Sequence, residues 1–385
     1  MRVTQQMLSA NTMRYVNLGY QRLGGLQDQL TTGKRITRVS QDPVIAMKGL
    51  QHRQALSDAS QFKRNINEAQ NWLDHSEGIL DQTGQNLKRI SELIVQASND
   101  TYDADQRKSV AKEIAQLSEY LQDLSNSKVD NRYLFNGANT DNPPFKNGAV
   151  VEPGIAPILE TGADLSDYTI VYNGESFRYM PDEAGMVFQH VSQVDQENLP
   201  IDQRIVLRFD SADENVSVTY TNPITGSVDL EVDPNELSTV ENTAISTNTQ
   251  DVYIEVNKGV KIPVNVKGSH VFSASLFGDL ARLEKALSDP EITGEELSEF
   301  ITIVDKHHTN VVAEQSEVGV RLNRIEMMVS RLDDQHASLQ KMMTENEDVD
   351  IEETIMNLVL AENVHRVALS VGARIMQPSL LDFLR

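Results

Sequence analysis

Between Leu297 and Met343 the sequence holds an unbroken alternation of four- and three-residue steps. It passes through Leu297, Ile301, Val304, His308, Val311, Gln315, Val318, Leu322, Ile325, Val329, Leu332, His336, Leu339 and Met343. Eleven of these fourteen positions are apolar, which is the heptad pattern of a helix facing a second helix. At about 1.5 Å per residue the helix is roughly 70 Å long, several times the globular mean of about 11 to 12 residues. A stripe this narrow on a polar cylinder gains little unless another long helix covers it.

The chain offers such a partner. Asp42 followed by Pro43 is a strong helix start, because the carboxylate caps free amides and proline suits the first turn. Beyond it Ala55, Ala59, Phe62, Ile66, Ala69, Leu73, Ser76, Leu80, Thr83, Leu87, Ile90, Ile94 and Ala97 keep one heptad register. Asn99 to Asp103 reads as a turn, after which Val110, Ile114, Leu117, Leu121 and Leu124 begin a shorter helix that folds back antiparallel. Three helices from two distant segments therefore form an antiparallel rod. His308, Gln315 and His336 fall on the seam, where single polar residues fix register. His307, beside His308, is expected to face solvent, and two adjacent histidines point apart on a helix, which is poor metal-ligand geometry.

After Tyr133-Leu-Phe-Asn-Gly137 the composition changes, with Pro143, Pro144, Pro153 and Pro157 close together. Strands are expected at Tyr168 to Tyr172, Ile205 to Phe209, Val216 to Tyr220, Val228 to Val232, Tyr253 to Val256 and Val260 to Val266. Asn173-Gly174, Asn222 to Gly226 and Asn257 to Gly259 supply hairpin turns. The stretch reads as a mainly β domain inserted between helices, and helix resumes with Leu276, Leu280, Leu283 and Leu287.

Both ends are apolar in an unusual way. The first thirty residues carry Leu8, Tyr15, Leu18, Leu23, Leu26 and Leu30 at mostly helical spacing. Gly24 and Gly25 each cost that helix about 1 kcal/mol relative to alanine, so it is weak alone. Near the other end Met356, Leu360, Val364, Val367, Val371 and Ile375 form one face, and Ile355, Val359, Ala361, Ala368 and Leu369 a second. A helix apolar on most sides must be buried nearly all round. The rod has no such place, so the ends point to burial between subunits.

Composition narrows the function. A formal charge of −23 argues against nucleic acid as a partner, although residues 1–41 hold six bases against one acid. The absence of cysteine removes disulfides, thiolate metal sites and thiol nucleophiles. No cleaved secretory signal and no membrane span is expected, since Asn357, Glu362, Asn363, Arg366 and Arg374 interrupt the longest apolar run. Thr32-Gly-Lys-Arg35 lacks the first glycine and the final hydroxyl of a phosphate loop. No constellation of residues points to catalysis, a metal or a cofactor.

The run Leu26-Gln-Asp-Gln-Leu-Thr-Thr-Gly-Lys-Arg-Ile-Thr-Arg-Val-Ser-Gln-Asp-Pro43 resembles the N-terminal segment of the bacterial flagellin superfamily. Val318-Gly-Val-Arg-Leu-Asn-Arg324 and Ser379-Leu-Leu-Asp-Phe-Leu384 resemble its C-terminal segment. Val39 and Gln41 depart from that pattern, standing where the superfamily often has Pro and Asp. Arg132-Tyr-Leu-Phe-Asn-Gly137 with Pro143-Pro-Phe145 is more similar to the hook–filament junction branch than to flagellin itself, and Val264 to Phe272 fits the same branch.

The resemblance implies a mainly α fold with an all-β insert. Terminal helices over residues 1–41 and 347–385 order on assembly into an inner tube, with a helical rod at 42–140 and 275–346 and the β-rich insert at 141–274. The implied interface adds Leu380, Leu381 and Phe383 to the two apolar faces above. The implied role is a structural, non-enzymatic subunit of the junction, exported through the flagellar type III apparatus to the extracellular flagellum. Implied partners are further copies in a ring, hook-associated protein 1, flagellin, and a cytoplasmic export chaperone on the C-terminal helix. Neither nucleic acid, membrane nor cofactor is implied. The alternatives are a flagellin and, more remotely, a secreted enzyme using the β insert.

Overall fold

The computed structural model describes residues 5–376 apart from 100–101, 147, 149, 160–163, 182–184, 195–202, 213–214 and 226. Its helices are α1 (Gln5–Thr32), α2 (Pro43–Ala97), α3 (Ala104–Ser125), α4 (Ala156–Leu159), α5 (Gly268–Val271), α6 (Ala274–Ser288), α7 (Gly294–Glu347) and α8 (Ile351–Met376). The chain divides into two compact units, one built from residues up to Arg64 and from Val329 onward, the other from Asn65 to Met328. The α2 and α7 helices supply residues to each.

In the Asn65–Met328 unit the two heptad seams close on each other. On α2, Ile66, Leu73, Leu80, Leu87, Ile90 and Ile94 are fully buried, and on α7 Leu297, Val304, Val311, Val318 and Ile325 are buried opposite them. Gly84 lies against His308 and Val311, and further along α2 Lys88 and Glu92 lie beside Val304 and Asp305, so the helices run antiparallel. Burying a leucine side chain is worth about 1.5–3 kcal/mol, and the repeat supplies one or two such residues per turn pair. The capping box of Asp103 and Gln106 starts α3, which returns along α2 through Arg89–Glu113 at 2.8 Å and a Tyr120 hydroxyl donating to Gln82 at 2.9 Å. The other face of α3 packs against α6. Residue His307 departs from the expectation of a solvent position. It is 3% exposed, and its Nε2 lies 2.8 Å from Oδ2 of Asp279 on α6. The carboxylate 28 residues away draws the imidazole inward.

Strands β1 (Lys128–Val129) and β2 (Arg132–Tyr133) form a small hairpin turned by Asp130 and Asn131, both at positive φ. The strands that follow are β3 (Val151–Pro153), β4 (Tyr168–Tyr172), β5 (Glu175–Tyr179), β6 (Met186–His190), β7 (Val206–Ala212), β8 (Asn215–Asn222), β9 (Ser227–Val232) and β10 (Ser238–Glu241). They make one antiparallel sheet in the order β3-β10-β4-β5-β6-β7-β8-β9. Asn173 and Gly174, both at positive φ, turn β4 into β5 as their sequence predicts. Ile170, Phe177, Phe188, Leu207 and Val218 fill one core of the sheet. A separate hairpin, β11 (Tyr253–Asn257) and β12 (Val260–Pro263), follows. The sheet rests on α6, where Gly278 lets the helix approach Val171 and Ser238 closely.

The Arg132–Gly137 and Pro143–Phe145 segments do structural work between these layers. Leu134 and Phe135 are buried, with the Phe135 ring centroid 5.0 Å from that of Phe272. Phe145 stands 4.9 Å from Phe277 of α6, and its backbone exchanges two hydrogen bonds with the Asn126 side chain. A Cβ at position 268 would fall 2.0 Å from the Phe135 carbonyl oxygen, so only glycine fits there.

Candidate assembly interface

The unit built from both chain ends is where the sequence places its unexplained apolar surface. Asp42 caps α2 as expected, its Oδ1 accepting from the amides of Val44 and Ile45 at 2.9 and 3.1 Å. Lys34 and Asp348 form an antiparallel bridge, with Arg35 N donating to Glu347 O and Val349 N to Gly33 O. The nearly buried Glu347 carboxylate takes Arg53 at 2.7 Å and Lys34 at 3.5 Å, while Lys34 also reaches Asp348 at 2.6 Å. That hydrogen bond to Asp348 raises the Lys34 pKa above the ordinary lysine value. This elbow fixes where α1 ends and α8 begins.

From the elbow α1 and α8 run antiparallel against each other within one chain. Their contact is a heptad seam that large apolar residues mark only in part. On α1 the inward positions are Ser9, Thr12, Val16, Gly19, Leu23, Leu26 and Leu30. On α8 they are Thr354, Leu358, Ala361, His365, Ala368 and Gly372. The helices approach closely, with Gly372 against Thr12 and Gly19 against the imidazole of His365. His365 is buried, meets the Tyr20 ring edge-on at 4.2 Å, and has no hydrogen-bond partner among the described residues at either ring nitrogen.

The expected interface residues therefore divide. Leu23, Leu26 and Leu30 lie half-buried in the intrachain seam. Leu8, Tyr15 and Leu18 face outward, 41% to 68% exposed, as do Met356, Leu360, Val364, Val367 and Val371 at 45% to 66%. Met13, Tyr20, Ile351, Ile355 and Val359 extend the exposed apolar surface. Ile375 lies on α8, and Leu380, Leu381 and Phe383 lie outside the described residues. Sequence reasoning missed Thr12, Gly19, His365 and Gly372, whose seven-residue spacing was the available signal.

Two family models match the same two ends. The N-terminal helical region of bacterial flagellin matches residues 3–140 and the C-terminal helical region matches 301–384, together more than half the chain. The chain belongs to the bacterial flagellin family. Flagellin-family relatives include flagellar hook-associated protein 3 of Escherichia coli (strain K12), 30% identical over 172 residues, 44% of this chain and 54% of that one. The protein of the same name from Salmonella typhimurium is 32% identical over 146 residues, 38% of this chain and 46% of that one. The chain spans about half the length of these curated relatives. A solved flagellar hook-associated protein from Vibrio parahaemolyticus shares the fold, with a TM-score of 0.52 at 14% identity over 80% of this chain and all of that one. Members of this flagellin family are structural proteins of the flagellum. No helix among the described residues is long and apolar enough to cross a membrane.

Proposed function

We propose that this flagellin-family chain is a structural subunit of the flagellar hook–filament junction, with no enzymatic activity. Subunits join side by side through residues 1–41 and 347–385, whose outward apolar faces pack against neighbours as an inner tube. The helices of 42–140 and 275–346 form the surrounding tube, and the 141–274 insert faces solvent. Hook-associated protein 1 lies on the hook side and flagellin on the filament side. The chain leaves the cell through the flagellar type III apparatus, and a cytoplasmic chaperone covers the α8 face before export.

The observation that carries this reading is the outward face of α8. Met356, Leu360, Val364 and Val367 follow one another at heptad-like spacing, each at least 60% exposed, on a helix whose inner side is already paired. The inner seam already encloses Val16 and half-buries Leu23, Leu26, Leu30 and Leu358, so the apolar burial still open to this pair lies on its outside, where neighbours would cover it. Leu360→Asp tests this. A carboxylate enclosed in a packed apolar tube costs several kcal/mol unless paired, so the variant should fold as the parent does by circular dichroism yet fail to support motility. Normal motility would remove α8 from the interface.

A further inference from the structure

A second exposed apolar patch lies at the elbow, and the seams and the α8 face leave it unexplained. Val39, Val44, Met47 and Leu50 are 60% to 65% exposed, on the α1–α2 connection and the first two turns of α2. Val39 and Leu50 line a depression of about 180 Å³ together with Ile36, Ile45, Ala46, Arg38 and the Arg53–Glu347 pair, and Val44 and Met47 lie beside it on α2. Arg35, Arg38 and Lys48 stand exposed around the patch, and none of the three forms an ion pair with the described residues. The patch is apolar with a basic rim.

The start of α8 has the complementary character. Ile351, Ile355 and Met356 are 47% to 66% exposed. Asp350, Glu352 and Glu353 are exposed beside them, and none forms an ion pair with the described residues. Three apolar side chains with the exposed carboxylates of Glu352 and Glu353, beside Asp350 whose Oδ1 accepts from the Glu353 amide at 3.1 Å, match four apolar side chains with three exposed cations. Both surfaces adjoin the Lys34–Asp348 bridge, so both lie at the same level of their unit. Two different patches at one level of identical subunits make a heterologous contact, the kind that closes rings or continues as a helix.

We propose that the Val39–Leu50 patch of one subunit receives the Ile351–Met356 turns of α8 from the adjacent copy of this chain. The contact rests on the assembly reading given above and names the surfaces that join neighbours at the elbow. Apolar anchors supply the burial, and the charges set the register and exclude the reversed pairing.

Absence of cysteine makes the test direct. Subunits carrying Val44→Cys or Met47→Cys are co-expressed with subunits carrying Ile351→Cys or Ile355→Cys, in cells lacking the native chain, and isolated flagella are mildly oxidised. A disulfide needs Cα atoms within about 7 Å. A linked dimer is therefore expected from at least one of the four mixtures and from neither parent alone. No dimer from any mixture would overturn the contact.

A charge exchange provides the second test. Arg38→Glu with Lys48→Glu, or Glu352→Lys with Glu353→Lys, should each cut the chain's incorporation into isolated flagella by roughly tenfold or more. All four substitutions together should restore it. Full incorporation of either reversed pair, or no recovery in the combination, would overturn the proposal. Leu360→Asp separates the two claims: if it blocks assembly while the charge reversals do not, the subunit role stands and this contact falls.

Discussion

Three glycines of α1 give opposite answers to the same substitution. An added Cβ at Gly24 or Gly25 meets no atom within 4 Å, whereas at Gly19 it would lie 2.8 Å from Nδ1 of His365. Replacing an interior helical glycine by alanine stabilises the helix by about 1 kcal/mol where nothing is displaced. Gly24→Ala and Gly25→Ala should each show that gain. At Gly19 the imidazole must retreat, and it is held against Tyr20 at 4.2 Å. Overpacking of this kind costs about 1–3 kcal/mol, which cancels or exceeds the propensity gain. The net change should run from none to a loss of about 2 kcal/mol, leaving Gly19→Ala about 1–3 kcal/mol below the Gly24 variant. Native-state hydrogen exchange of the Val16 to Leu23 amides in the full chain reads that difference, with tenfold in protection for each 1.4 kcal/mol. Removing the ring as His365→Ala should turn Gly19→Ala favourable. Equal gains in protection at Gly19 and Gly24 would refute the close approach of α1 and α8.

Other expectations follow from the same contacts. Asp279→Ala strands the buried His307 and should cost about 3 kcal/mol in urea denaturation; a loss under about 1 kcal/mol would mean the pair is not enclosed as described. Because Asp348 raises the Lys34 pKa, the elbow gains stability that is fully present below the ordinary lysine value and lost as pH rises through the folded one. An alkaline titration should therefore loosen the Gly33–Val349 backbone pairing in the parent but change it little in Asp348→Asn.

Much of the helical architecture was legible because large apolar residues repeat without interruption. Every α7 seam position from Leu297 to Met343 is buried or half-buried. The sheet was half legible. Strands β4 and β7 to β9 announce themselves with β-branched and aromatic runs, but β10 is Ser238-Thr-Val-Glu241, and its two hydroxyls are buried by bonds to Gly278 O and Gly154 O. Such a strand is specified by partners remote in sequence. Strand β5 hides in the same way, since Phe177 is its one fully enclosed residue.

The interface was legible in its outer half and, through Leu23, Leu26 and Leu30, in part of its inner one. Attention to large side chains found Tyr15, Leu18, Leu360 and Val364, which the structure leaves exposed. The inner contact runs through Thr12, Gly19, Ala361 and Gly372, whose value is their small size. A hydropathy pattern carries no record of that. His307 was misread for a related reason: its partner Asp279 lies on another helix, so local spacing could not draw it inward.

The most direct test of the junction role is electron microscopy of cells lacking this chain, with flagellin assayed in the medium of the same culture. Bare hooks with flagellin lost to the medium are predicted, because filament subunits would be exported with no base on which to assemble. Normal filaments, or bare hooks with no flagellin anywhere, would contradict the account, the second by making this chain the filament subunit.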